Sequence, residues 1–161
     1  MDSPLPSTSV EIEVQAPPEV VWPHFADLEL LASASTEFES GEWIEGEPTE
    51  VGARFQGNQR IGEFTWTTIS EIHVSQPGGA FGWTVGDLDD PVAIWDFAIT
   101  PGPGGSRLTY SCALGTTDQS GLMMMVAADP DNSDKIIDGR LSTLRENMQR
   151  TIELIRDRAE G

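Results

Sequence analysis

The sequence predicts an α+β domain in which a curved antiparallel sheet wraps one long C-terminal helix. Residues 134–158 carry Ile137, Leu141, Leu144, Met148, Ile152 and Ile155 at spacings of three and four, the helical period. Arg140, Arg145, Glu146, Gln149, Arg150, Glu153, Arg156 and Asp157 fall between them and read as a solvated face. At ~1.5 Å per residue this helix is roughly 37 Å long, enough to cross a whole sheet. The second observation is a run of alternating segments separated by short turns, the mark of consecutive antiparallel strands. The third is that the aromatic residues of those segments share one parity, so they converge on one face of the sheet.

The elements follow in order. Val10, Ile12 and Val14 alternate with Glu11, Glu13 and Gln15, a strand with one buried face. Pro17 and Pro18 end it and suit the first turn of a helix, with Glu19 at its favourable end. That helix runs through Val20, Val21 and Trp22 toward Phe25, and Pro23 keeps it short or kinked. A second short helix covers about 27–34, burying Leu28 and Leu31. Trp43 and Ile44 mark a short strand. Ala53 and Phe55 open a longer one that reaches Ile61, and Gly62-Glu63 is a tight hairpin. Phe64, Trp66, Thr68, Ser70, Ile72 and Val74 share one face of the next strand. Gln76-Pro77-Gly78-Gly79 is a turn. Phe81, Trp83 and Val85 follow, then an acidic loop over 87–91. Ala93, Trp95, Phe97 and Ile99 form another strand, and 101–105 form a turn. Leu108, Tyr110, Cys112 and Leu114 give the last strand. Residues 121–128, with Leu122, Met123, Met124, Met125 and Val126, read as a short helix or an apolar loop. Asn132 or Ser133 caps the final helix.

Composition bounds the function. The chain has 161 residues and reads as one domain spanning 1–161, its core over about 9–158. The net charge is −18, with 27 acidic residues against 9 basic ones. That charge disfavours nucleic acid as a partner and an anionic membrane surface as a docking site. Cys112 is the only cysteine, so no intrachain disulfide forms, which fits a cytoplasmic protein. Residues 1–9 lack the basic and apolar regions of a signal peptide. No stretch is long and apolar enough to enter a membrane as a span. Oligomeric state is left open.

The chemistry-bearing motifs are few. No Gly-rich phosphate loop, metal-spaced His/Cys/Asp cluster or nucleophile elbow occurs, so neither a metal nor a cofactor is expected. What stands out is the aromatic face: Phe55, Phe64, Trp66, Phe81, Trp83, Trp95, Phe97 and Tyr110. Such a set either fills a core or, with adaptable methionines, lines an apolar pocket. Met124, Met125 and Met148 either form the mouth or floor of that pocket or fill the core. Gln59, Thr68, Ser70 and Tyr110 are the polar residues on the same parity. The Tyr110 phenol bonds either a ligand or nearby backbone. His73, Asp96, Arg54, Asn58 and Arg60 have outward parity. A face so poor in ionisable groups suits binding, or a reaction steered by shape, better than acid–base hydrolysis.

Several passages resemble a known family. Ala16-Pro17-Pro18-Glu19-Val20-Val21-Trp22, Val51-Gly52-Ala53-Arg54-Phe55, Trp66-Thr67-Thr68 and Trp95-Asp96-Phe97-Ala98-Ile99-Thr100-Pro101, followed by Arg107-Leu108-Thr109, are similar to the START-like, or SRPBCC, superfamily and its polyketide cyclase/dehydrase group. The resemblance covers about 9–158. It implies the helix-grip, Bet v 1-like fold, with a deep cavity between the sheet and the C-terminal helix. The function expected is binding of a hydrophobic or aromatic small molecule, lipid or polyketide-like. Phe55, Phe64, Trp66, Trp83, Trp95, Phe97, Tyr110, Met124 and Met148 are the expected ligand-binding residues. The alternative is a cyclase or dehydratase acting on a poly-β-ketone. There Tyr110 orients or protonates a carbonyl and an arginine within 54–60 stabilises an enolate. A protein-interaction role rests on the acidic surface alone.

Overall fold

The structure is a computed structural model that describes residues 5–118 and 120–161. The first four residues of the segment read as lacking a signal peptide therefore lie outside the described residues. So does Gln119.

Seven antiparallel strands form one sheet in the order β1-β7-β6-β5-β4-β3-β2. They are β1 (Ser7–Val14), β2 (Phe38–Glu45), β3 (Arg54–Ile61), β4 (Phe64–Gln76), β5 (Ala80–Asp87), β6 (Asp90–Gly102) and β7 (Gly105–Leu114). β2 through β7 are a meander of hairpins, and β1 closes the far edge against β7. The helices are α1 (Pro18–Val21), α2 (Leu28–Ala34), α3 (Gly121–Ala128) and α4 (Ser133–Glu160). This is the helix-grip architecture: a curved sheet gripping one long helix, with two short helices after the first strand.

Local chemistry explains the boundaries. Pro18 opens α1 at a position where the missing N–H is harmless. Pro23 then tightens the chain into a 3-10 turn, Trp22–Ala26, in place of a continuing α-helix. The Asp27 carboxylate accepts the Leu30 N–H and caps α2. Ser120 does the same for α3, accepting the Met123 N–H at 3.0 Å. α3 is helical although its residues are apolar all round, and none of them is buried.

The structure corrects two sequence expectations. β2 begins at Phe38, well before Trp43, because its outward residues are too polar to show a buried face. A β-bulge in β4 between Ile72 and Val74 shifts the register, so Val74 pairs with Gly82 on the outer face and not with the aromatic set. Asn132 stands at the N-cap position of α4, as expected, without a capping side-chain bond; its side-chain amide donates to Asp129.

α4 divides into a packed part and an open part. From Leu144 onward it buries Leu144, Met148, Ile152 and Ile155, with Asn147 and Thr151 on one flank. These meet Val14, Val21, Phe25, Phe97 and Leu108 in one core cluster. Full burial of such side chains contributes about 1.5–3 kcal/mol each. Before Leu144 no residue of α4 is buried; Ile136, Ile137, Arg140 and Leu141 are half-buried. The two flanks of the helix tie it down differently. Arg145 donates to the Ser9 carbonyl of β1 at 2.7 Å. Asn147 accepts the Thr36 N–H at 3.2 Å, and Arg150 donates to the Ala34 carbonyl at 3.1 Å, clamping the α2–β2 connection.

Candidate functional site

The inner face of the sheet, turned toward α4, carries an aromatic wall. Directly paired residues in adjacent strands share a face. Trp83 pairs with Trp95, Phe81 with Phe97, and Phe97 in turn with Tyr110. Phe97 and Tyr110 stack with centroids 3.9 Å apart and planes at 10°. Trp83 and Trp95 stack at 6.3 Å and 19°, and Trp95 lies 5.6 Å from Tyr110. Phe55 meets Trp83 edge-on at 5.7 Å. Phe55, Trp83, Phe97 and Tyr110 are buried.

The remaining expected site residues are placed less uniformly. Met148 is buried in the packed part of α4. Trp66 and Trp95 face inward and are half-exposed. Phe64 lies against Trp66 at 5.3 Å, at the tip of the β3–β4 hairpin, and is 67% exposed. Met124 on α3 is 64% exposed and lies outside the wall.

The inner face is open in a defined direction. Trp95 stands on a central strand, yet solvent reaches it. Thr68, Gln59 and Trp66, which face inward on β3 and β4, are half-exposed too, and exposure rises to Phe64 at the hairpin tip. This opening matches the half-buried first turns of α4. The inner face is therefore reached by solvent toward the β3–β4 hairpin and closed toward Met148. Two depressions of about 430 and 350 Å³ also occur, lined by Arg54, Ile69 and Glu71 and by Ser9, Asp96 and Ser111. Both lie on the outer face.

Two polar atoms of the wall's buried residues are unspent. Tyr110 is 5% exposed, and its hydroxyl makes no hydrogen bond among the described residues; the same holds for the Trp83 indole N–H. No side-chain polar atom of the described residues is both sealed from solvent and unpartnered. Both groups therefore keep a small area open to solvent. Burial pushes the Tyr110 phenol well above its ordinary range, with the neighbouring Cys112 adding to the rise. Tyr110 thus stays a protonated donor at neutral pH. Cys112 is buried, its thiol pushed up to about 12 by burial, with Arg140 opposing and Asp96 assisting the shift.

Arg140 is the residue that the sequence reading misplaced. Its spacing places it on the solvated face of the helix, but its guanidinium forks onto Glu37 with Nη1–Oε2 at 2.5 Å and Nη2–Oε1 at 2.7 Å. Glu37 is 6% exposed. On the helical wheel position 140 borders the stripe of Ile137, Leu141 and Leu144, on the flank shared with Asn147 and Thr151. The only sequence signal was that closeness to the stripe. The partner, 103 residues away in sequence, gives none.

The arginines that the family resemblance implied for enolate stabilisation are on the outer face. Arg54 donates to Glu71 at 2.9 Å and Arg60 to Glu39 at 2.6 Å, both on the outer face. The outer face also holds a Thr84–His73–Asp96 chain. His73 Nε2 lies 2.6 Å from Asp96 Oδ1, and Nδ1 lies 2.8 Å from the Thr84 hydroxyl. The carboxylate only accepts, so Nε2 donates to it, and in the neutral ring Nδ1 accepts from Thr84. Thr84 is buried, which makes this a cross-strand clip and not a presented nucleophile. Among the described residues no group of three His, Cys, Asp or Glu side chains could hold a metal ion. None of their helices is long and apolar enough to cross a membrane.

Comparison with known proteins agrees with this architecture. Residues 6–149 match the family described as polyketide cyclase/dehydrase and lipid transport. Nothing among the curated proteins matches the chain. The solution structure of a polyketide cyclase-like protein from Corynebacterium glutamicum superimposes with a TM-score of 0.67 and 27% identity, covering 96% of this chain and 91% of that one. The Zhui aromatase/cyclase from Streptomyces sp. R1128 gives a TM-score of 0.68 at 13% identity, covering 96% of this chain and 93% of its own. A di-domain ARO/CYC protein, BexL of the BE-7585A biosynthetic pathway, gives 0.72 at 17% identity over 96% of this chain and 50% of its length. The latter two likenesses speak to fold alone.

Proposed function

The chain belongs to the polyketide cyclase/dehydrase and lipid transport family, and from that premise we propose that it binds a hydrophobic or aromatic small molecule in the cleft between the sheet and the N-terminal third of α4. The observation that carries this reading is the Tyr110 hydroxyl: buried in a stacked aromatic wall, without a partner among the described residues, and with a small area open to solvent. A buried phenol without a partner costs free energy in the empty protein, which a ligand oxygen restores. The wall of Phe55, Trp66, Trp83, Trp95, Phe97 and Tyr110 supplies apolar contact, and the rings suit a flat ligand. Phe64 and Met124, at the exposed margin, serve the mouth in this reading, and Met148 the closed end.

A second reading, cyclisation or dehydration of a poly-β-ketone, draws on the family and on the same protonated Tyr110 as a donor to a carbonyl oxygen. Native mass spectrometry against the denatured mass tests the first reading. A non-covalent adduct of a few hundred daltons, or one formed on adding a flat apolar compound, is the expected result. A protein that stays bare in every such mixture contradicts it. Turnover of a poly-β-ketone that falls in Tyr110→Phe with the fold intact would favour the second.

A further inference from the structure

We propose that Arg140 sets the selectivity of the cleft by seating an anionic oxygen group, such as a carboxylate, on an otherwise apolar ligand. This rests on the cleft being the binding site. The guanidinium is held in place by the fork onto Glu37, which uses two of its five N–H groups. The other three have no partner among the described residues, and the side chain is 28% exposed. A pre-set fork with donors to spare recognises planar oxygen pairs well, because little freedom remains to be lost on binding.

Position adds to this. Arg140 lies on the half-buried third of α4, beside Ile137 and Leu141, where the cleft opens. Glu37 leads into β2, and its carbonyl accepts the Arg60 N–H at 2.8 Å, next to the inward-facing Gln59 of β3. Elsewhere a net charge of −18 repels anions. Asn147 and Arg150 already bond to each other and to the α2–β2 connection, so they do not compete for this role. Glu37 neutralises Arg140 in the empty protein, so the preference for an anion comes from hydrogen bonds made at low dielectric rather than from a standing positive field.

Two fluorescent probes with the same rings test the proposal. 1-Anilinonaphthalene-8-sulfonate carries an anion; N-phenyl-1-naphthylamine lacks it. The wild type should favour the sulfonate. Arg140→Gln should weaken the sulfonate by about tenfold or more while the amine changes less than about twofold. Glu37→Gln should tighten the sulfonate. An Arg140→Gln variant that binds both probes as the wild type does, or loses both equally, overturns the proposal while leaving the cleft in place. A wild type that binds neither overturns the binding reading, and this proposal with it. Should a single substitution unfold the chain by stranding one charge, the double variant Glu37→Gln with Arg140→Met leaves none stranded. A sulfonate preference that survives in it also overturns the proposal.

Discussion

Tyr110 separates structure from function at a single oxygen atom. Its ring packs on Phe97 and is needed for the core, whereas its hydroxyl holds nothing in the empty protein. Tyr110→Phe should therefore leave the urea midpoint unchanged or raise it slightly, because a poorly solvated donor is removed. The same variant should weaken a carbonyl-bearing ligand by about tenfold, the worth of one hydrogen bond. Cys112 gives a pH prediction. Its thiol is raised in the folded state to about 12 from an ordinary value of 9.0. The unfolded chain therefore loses this proton first as pH rises. The contribution to stability is complete below about pH 9 and is lost progressively up to about pH 12. Tyr110 acts in the same direction. Cys112→Ala should move the onset of alkaline destabilisation upward by about one pH unit, to where tyrosine ionises in the unfolded chain, as read from urea melts across pH 7–12. Most of the wall was legible in the sequence because strand alternation fixes which residues share a face. Arg140 was not, because a charged residue beside an apolar helical stripe looks the same whether its partner is water or a buried carboxylate.

At the scale of elements, the β4 bulge shows how far alternation carries. It holds from Phe64 to Ile72 and fails at His73, where the bulge puts Val74 on the outer face. Nothing in the residues 72–74 announces this. The strand-order signal that does survive is Gly82. A Cβ there would collide with Asp96 Oδ1 and come within 2.7 Å of the Trp95 carbonyl oxygen and 2.9 Å of His73 Nε2. The clip of His73 between Thr84 and Asp96 therefore requires a glycine on β5. Gly82→Ala should break that clip and cost about 1–3 kcal/mol, measured by chemical denaturation. A variant as stable as the wild type would mean that the clip contributes nothing. The two short helices and the hairpin turns were read from Pro18, Pro23, Asp27 and Gly62 because turn and cap chemistry is local. α3 could not be distinguished from a loop, since a helix apolar on every side has no period to read. β2 was shortened for a related reason: one of its faces is polar and the other is only partly covered.

For the whole molecule, the long helix and the meander were sufficient to anticipate the fold, while the shape of the space between them was not. A deep cavity was expected. The structure shows a wall sealed at the Met148 end and open at the Phe64 end. That difference follows from α4, whose first turns lack buried residues although their apolar spacing continues unbroken from Ile137. The net charge of −18 acts at this scale as well. Carboxylates far outnumber their cationic partners, so self-repulsion should weaken the fold at low salt. The melting temperature should rise between 10 mM and 500 mM NaCl as the screening length falls from about 30 Å to a few ångströms. A melting temperature that falls over that range would show that the surface ion pairs outweigh the repulsion. The central claim is that the inner aromatic wall receives a ligand, and the five tryptophans allow it to be tested in place. A ¹⁵N-labelled sample titrated with N-phenyl-1-naphthylamine reports each indole N–H separately. The signals of Trp66, Trp83 and Trp95 should move. That of Trp22 should stay, since its N–H is already bound to the Ala80 carbonyl at 2.8 Å. Shifts confined to Trp22, or a spectrum unchanged at saturating probe, would contradict the claim.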